Sequence, residues 1–301
     1  MTESSSKPFG ELVGVERSAA HGLECVRVTT ADASGLVFLQ GAHVAEWAPA
    51  GADPIIWMSE KAIYQPGKAL RGGIPICFPW FGAHAEHQDF PAHGFARTRA
   101  FEYRGARLDD SGRTELEFVL RADEATHALF PYDFEARFRV AFGKTLALEF
   151  AVTNRGEVSF SFEEALHSYF HVSDVRNAAL VGLQGATYSD KVRGMAEFSE
   201  SAPELRLSGE TDRVYVSSAA CTIRDPGAKR LIRIEKSNSL TTVVWNPWSE
   251  RAAQMSDFGA AAWPQMLCVE SANVAAARVS LAPGSTHTLG VHVTTTLAAS
   301  S

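Results

Sequence analysis

The fold is decided by FEARFRVAF at 134–142, GK at 143–144 and TLALEFAVT at 145–153. In both long runs apolar residues alternate with polar or small ones, the period of a strand with one face turned to a core. Gly143 and Lys144 supply a turn between them, so the pair reads as an antiparallel hairpin. The same texture recurs outward along the chain at 37–47, 115–121, 158–164, 214–224, 231–235, 241–245 and 287–296. Turn residues separate these runs, among them Asp109 to Gly112, Asn154 to Gly156, Asp225 to Gly227 and Pro283-Gly284. Many short strands in series favour stacked antiparallel sheets. The one helical segment that stands out is 249–258, with Ala252, Ala253 and Met255 inside it and Gly259 as a stop. The pattern argues against a doubly wound α/β plan, which needs a crossover helix after nearly every strand.

The chain has 301 residues, 46% of them hydrophobic, enough for a large core. A formal charge of -7 opposes non-specific attraction to nucleic acid or anionic lipid, so no nucleic-acid or membrane partner is expected. No apolar run approaches the roughly 18 to 20 residues of a membrane span. Residues 1–14 lack an apolar signal core and read as a flexible tail, leaving 15–301 as a single β-sandwich domain. Cys25, Cys77, Cys221 and Cys268 are dispersed without C-x-x-C spacing, which predicts buried free thiols and a cytoplasmic location. A monomer is the expected state.

The densest irregular segment runs from Ile63 to Arg99, IYQPGKALRGGIPICFPWFGAHAEHQDFPAHGFARTR. Its prolines and glycines make it costly to order as a mere connection, so it is a candidate binding wall. Arg71 and Arg97 flank it and Arg99 follows; guanidinium groups offer rigid paired donors suited to phosphate oxygens. The alternative for each arginine is a surface ion pair. His84, His87 and His93 invite a metal reading at short spacing, but H-x-x-H is a weak signal and surface or substrate-contacting histidines are preferred.

His167 follows a strand-like run and precedes Ser168-Tyr169-Phe170, a position suited to a pocket edge, with a satisfied core histidine as the alternative. Glu163 and Glu164 read as a solvated strand edge. Trp245 and Trp248 suit the apolar face of a sugar or a core rim, and Asp257 offers polar support. Met266-Leu267-Cys268-Val269-Glu270 ends an apolar run on a carboxylate, which needs donors, ligand access or a raised pKa, the conditions of a useful general base.

Together these blocks resemble the D-hexose-6-phosphate mutarotases, or glucose-6-phosphate 1-epimerases, of the galactose-mutarotase-like superfamily. The resemblance rests on Leu70-Arg71-Gly72-Gly73-Ile74-Pro75, Phe78-Pro79-Trp80-Phe81-Gly82, His93-Gly94-Phe95-Ala96-Arg97 and Leu166-His167-Ser168-Tyr169-Phe170. It continues through Gly209 to Tyr215, Trp245-Asn246-Pro247-Trp248 and Cys268-Val269-Glu270, in order along most of the chain. It implies an all-β fold, a β-supersandwich of stacked, mainly antiparallel sheets with few short helices, a concave sugar site, and neither metal nor organic cofactor. By the same resemblance His167 is the general acid, Glu270 the general base, Arg71 and Arg97 phosphate ligands, and His93 and Asp212 contacts to the sugar or to His167. Asp190 is a second acidic candidate beside Asp212. Ser271-Ala272 departs from the family, which favours a glycine close behind the glutamate; this bears on local backbone more than on chemistry. The expected reaction is α/β anomer exchange of a hexose 6-phosphate through ring opening and closure. A non-catalytic carbohydrate-binding protein is the main alternative, ahead of glycoside hydrolysis and a metal-dependent cupin.

Overall fold

The computed structural model describes residues 8–298. Its frame is two large sheets. One has nine strands, in the order Glu204–Leu205, Ala179–Val181, Cys221–Asp225, Arg230–Ser237, Thr286–Leu297, Leu146–Asn154, Phe134–Phe142, Thr114–Arg121 and Glu102–Leu108. All its neighbours are antiparallel. The hairpin that opens the sequence reading lies inside this sheet, with Phe138 opposite Phe150 and Val140 opposite Leu148. Its apolar positions are buried, while Arg137 and Arg139 point outward to Glu135 and Glu117 in a ladder of ion pairs.

The second sheet has eight strands. Its path runs Ala196–Ser199, Thr187–Asp190, Thr211–Val216, Thr241–Asn246, Met266–Asn273, Glu164–Leu166 and Ile76–Cys77, and Tyr169–His171 also pairs with Met266–Asn273. From one face Leu166, Phe170, Val244, Leu267 and Val269 enter the same buried cluster as Phe138 and Phe150. Apolar burial between the two sheets is therefore the main cohesive term. A four-stranded sheet, Val15–Ala20, Leu23–Thr29, Ala33–Phe38 and His43–Pro49, joins this core through Trp47, whose indole donates to the Gly143 carbonyl at 3.2 Å. Among the described residues the only α-helices are Glu124–His127 and Trp248–Ala253, so the expected stack of antiparallel sheets with few short helices is the architecture found. None of these helices is long and apolar enough to cross a membrane.

Several local expectations need correction. The run 37–47 is two strands, because residues 39–42 turn with Gly41 and Ala42 at φ of 75° and 44°. The run 214–224 is also two strands, and they belong to different sheets. In both places apolar periodicity continues through a change of partner, since it reports burial rather than pairing. Strands 15–20 and 23–29 were not anticipated, and the helix expected over 249–258 occupies Trp248–Ala253. Glu164 is no solvated edge residue: it is fully buried, accepts from Asn273 Nδ2 at 2.8 Å and meets His287 Nε2 at 2.9 Å. Of the expected tail, residues 1–7 lie outside the described residues. Gly10 exchanges backbone hydrogen bonds with Ala106, and the Phe9 ring lies 4.3 Å from the Arg107 guanidinium. All four cysteines are buried and unpaired, as expected.

Phe78 ties the irregular wall to the core. It is completely buried, and the rings of Phe95, Phe130, Phe134, Phe150 and Phe162 surround it with centroids 5.2 to 6.0 Å away. Phe78→Ala is expected to lower the free energy of unfolding by about 3–5 kcal/mol, read as a shifted urea midpoint at unchanged slope.

Candidate active site

Strand register decides which side chains share the second face of the eight-stranded sheet. Asp212 lies opposite Trp245, Trp245 opposite Cys268, and Cys268 opposite Tyr169. Two residues further along, Val214, Val243 and Glu270 align, and beyond them Ala272, Ala165 and Cys77. Paired residues point to the same side and side chains alternate along a strand, so all of these occupy one face. Asp190 pairs with Arg213 and therefore projects from the opposite face. Its carboxylate accepts from the Val192 amide at 3.1 Å and lies 3.3 Å from Arg213 Nε. Asp212 is thus the acidic residue that shares the face with Glu270.

His167 sits in the break between Glu164–Leu166 and Tyr169–His171, where its backbone N–H donates to the Pro75 carbonyl at 3.0 Å. Its ring stacks on Tyr169 with centroids 4.8 Å apart and meets the edge of Trp245 at 6.1 Å. These contacts aim Nε2 at Glu270 Oε1, 3.3 Å away. His167 is 7% exposed and Glu270 1% exposed, so both are held out of bulk water. His167 Nδ1 and Glu270 Oε2 have no protein partner. Burial pushes the Glu270 pKa well above the usual carboxylate range; Lys191 opposes that rise, Asp212 adds to it, and Arg97 opposes it. Burial likewise drives the His167 pKa far down, with further depression from His93, Arg97 and Arg71.

His93 reaches the site from a strained turn. It takes a φ of 64°, costly for a side chain with a Cβ, and Gly94 follows at 73°. A Cβ on Gly94 would overlap the Phe78 carbonyl, which itself accepts from the Phe95 amide at 3.0 Å. His93 Nδ1 accepts from the Gly82 amide at 3.3 Å, and burial together with Arg97, Lys191 and Arg71 depresses its pKa. The neutral ring therefore carries its proton on Nε2, with its centroid 5.8 Å from that of His167.

The two arginines are not equivalent. Arg71 spends its Nε and Nη2 on Asp257 at 3.2 and 3.1 Å and its Nη1 on the Tyr169 hydroxyl at 3.2 Å. It leaves a backbone shaped by Gly73, at φ of 68°, where a Cβ would overlap the His43 ring. Arg97 donates from Nη2 to the Ala92 carbonyl at 2.7 Å, and its buried Nε has no partner. Burial lowers its pKa, and the Arg71 charge lowers it further. Among the described residues no carboxylate pairs with Arg97.

Sequence reasoning missed three contributors. Tyr169 connects Arg71 to the His167 ring; Lys191 Nζ stands 3.2 Å from Asp212 Oδ1; and Phe81 lies under that ammonium at 4.6 Å. Lys191 belongs to no motif, so only the fold could reveal it. Other candidates fall away from the site: Trp248 packs on Trp263 at 4.3 Å, Arg99 lies near Asp123, and His84 and His87 gather around Phe90. Among the described residues no three His, Cys, Asp or Glu side chains are arranged to hold a metal ion.

Residues 24–294 match the aldose 1-epimerase family. A protein of Cenchrus ciliaris, provisionally named a glucose-6-phosphate 1-epimerase, is 34% identical over 287 residues, 92% of this chain and 85% of that protein. One from Salmonella typhimurium (strain LT2), with the same provisional name, is 38% identical over 234 residues, 77% of each chain. The crystal structure of a Salmonella typhimurium protein provisionally described as a mutarotase superposes with a TM-score of 0.88 at 31% identity, covering 96% of this chain and 97% of that one. A match over nearly the whole chain, on a shared architecture, places this chain in the aldose 1-epimerase family.

Proposed function

We propose that this chain interconverts the α and β anomers of a hexose 6-phosphate, with Glu270 and His167 exchanging protons with the two oxygens on C1. The observation that carries this reading is the 3.3 Å contact between His167 Nε2 and Glu270 Oε1 on a nearly dry face. O1 and the ring oxygen O5 are bonded to the same carbon, so a catalyst serving both must set its acid and base side by side.

In ring opening Glu270 takes the proton from the O1 hydroxyl, His167 delivers one to O5, and the C1–O5 bond breaks to leave an aldehyde. Rotation about C1–C2 presents its other face, and both transfers then run backward. The pair holds one proton before and after each step. It begins as imidazolium and carboxylate and ends with both groups neutral. Burial favours neutral forms, so the pocket suits the protonation that accompanies the open chain. Lys191 and Arg97 draw Glu270 back toward the carboxylate needed at the start.

The arginines support the division of roles. The C6 substituent branches from C5, the neighbour of O5, so a phosphate there lies on the side of the group serving O5. Arg71 and Arg97 both act on His167, and Tyr169 bridges Arg71 to its ring. Arg97, half-buried with its Nε unpartnered and no carboxylate beside it among the described residues, is the stronger phosphate receptor, with Arg71 sharing its donors with Asp257. Asp212 and His93 contact sugar hydroxyls, and Trp245 offers its indole to the ring's apolar face. The names of the relatives support the phosphorylated substrate. A cytoplasmic monomer is the working form we propose, and the four buried free thiols suit a reducing compartment.

Glu270→Gln and His167→Ala should each slow anomer exchange by about 10²-fold or more while the far-UV circular dichroism is unchanged. Magnetisation-transfer NMR on equilibrated glucose 6-phosphate reads this directly, and near-normal exchange in either variant removes that residue from the scheme. Because the pair must carry one proton, kcat/KM should fall at low pH, where both groups are protonated, and at high pH, where neither is. The two limbs belong to the coupled pair; activity independent of pH from about 4 to about 10, a window that takes in the ordinary glutamate and histidine values of about 4.3 and about 6.5, would contradict a proton-sharing pair. Arg97→Ala should cost more on the hexose 6-phosphate than on the free hexose, and more than Arg71→Ala does. Equal losses on both sugars would end the phosphate assignment.

A further inference from the structure

Glu270 is a buried carboxylate with one oxygen on His167 and the other without a protein partner. The titratable groups around it come from every adjoining element. Cys268 lies on its own strand, Cys77 on 76–77 and Tyr169 on 169–171; His167 lies in the break between strands, Arg97 in the turn at 96–98, Asp212 on 211–216, and Lys191 in the turn at 191–193. The thiols and the phenol are neutral, their pKa values all raised by burial. The charges that remain beside Glu270 are therefore Lys191, Arg97 and Asp212, with Arg97 committed to phosphate in the proposed complex.

Lys191 is held in place with unusual care for a partly exposed lysine. Asp190 caps its turn by accepting from the Val192 amide at 3.1 Å, and Gly194 closes the turn at a φ of 65°. Asp190 is itself anchored by Arg213 from the far face of the sheet. Beyond the turn, the ammonium is fixed between Asp212 Oδ1 at 3.2 Å and the Phe81 ring at 4.6 Å. Phe81 is tied down in turn, since its amide donates to Glu163 Oε2 at 2.9 Å. The ammonium is thereby held at Asp212, which strand register puts on the same sheet face as Glu270, and from there it acts on the carboxylate through its field.

We propose that Lys191 is a positioning residue for the reaction, the cation that keeps Glu270 available as a carboxylate, and that Asp212 opposes it. The proposal rests on Glu270 being the base assigned above. The signs are fixed by the charges. Replacing Lys191 by a neutral side chain removes a stabilising cation, so Glu270 holds its proton to higher pH. Replacing Asp212 by Asn removes a repelling anion, so Glu270 releases its proton at lower pH.

The test follows the Glu270 carboxyl by ¹³C NMR in full-length protein labelled at the glutamate δ-carbon, with Glu270→Gln identifying the resonance. Lys191→Met should move the titration midpoint up by roughly one pH unit, the order expected for a partly exposed cation at an effective dielectric of about 20. Lys191→Arg should restore it, and Asp212→Asn should move it down. The limb of kcat/KM on glucose 6-phosphate that tracks this midpoint should move with it. An unmoved midpoint in folded Lys191→Met overturns the proposal, even if kcat/KM falls, because the lysine would then merely touch the sugar. Should the wild-type protein show no exchange on any hexose 6-phosphate while the midpoint still shifts, the coupling stands and the assigned reaction fails.

Discussion

A carboxylate and an imidazole taken out of water and set 3.3 Å apart form the constraint around which the rest of the site is arranged. Neither charge is comfortable there: burial raises Glu270 and depresses His167, so the protein favours the state in which both are neutral. That bias would be a defect in a structural ion pair. In a catalyst that must shuttle a proton between two oxygens on one carbon, it brings the two protonation states of the pair closer in energy.

The surrounding charges are distributed to match. Arg71 and Arg97 both act on His167, where a C6 phosphate would offset them, while Lys191, Asp212 and also Arg97 act on Glu270. Arg71 already divides its donors between Asp257 and Tyr169, which makes it a fixed wall of the site rather than a free receptor. Arg97 has a buried Nε left without a partner, donor capacity that the proposed phosphate would use.

The scaffold supplies rigidity from behind. Leu166, Phe170, Leu267 and Val269 alternate with the site residues along the same strands and lock into the core shared with the nine-stranded sheet. The strained turn at His93 and Gly94 is held by hydrogen bonds to the segment around Phe78, whose ring is enclosed by five others. A site built on strands and braced by aromatic packing can hold its groups at fixed separation without help from mobile loops.

Local patterning along the chain was enough to read many of the strands, the 134–153 hairpin and the scarcity of helix, because alternation is a property of neighbours in sequence, though it passed over 15–20, 23–29 and 102–108. It also marked His167 and Glu270, since a polar residue at the end of an apolar run stands out wherever the strand goes. Periodicity was silent on which strands would pair, so 214–224 looked like one strand when it is divided between two sheets. The choice between Asp190 and Asp212 had to wait for register, which sends them to opposite faces of one sheet. Lys191 had no motif to betray it, and Glu164 looked solvated. The charge neighbourhood of a group is made by residues distant along the chain, and only tertiary packing brings them to the same few ångströms.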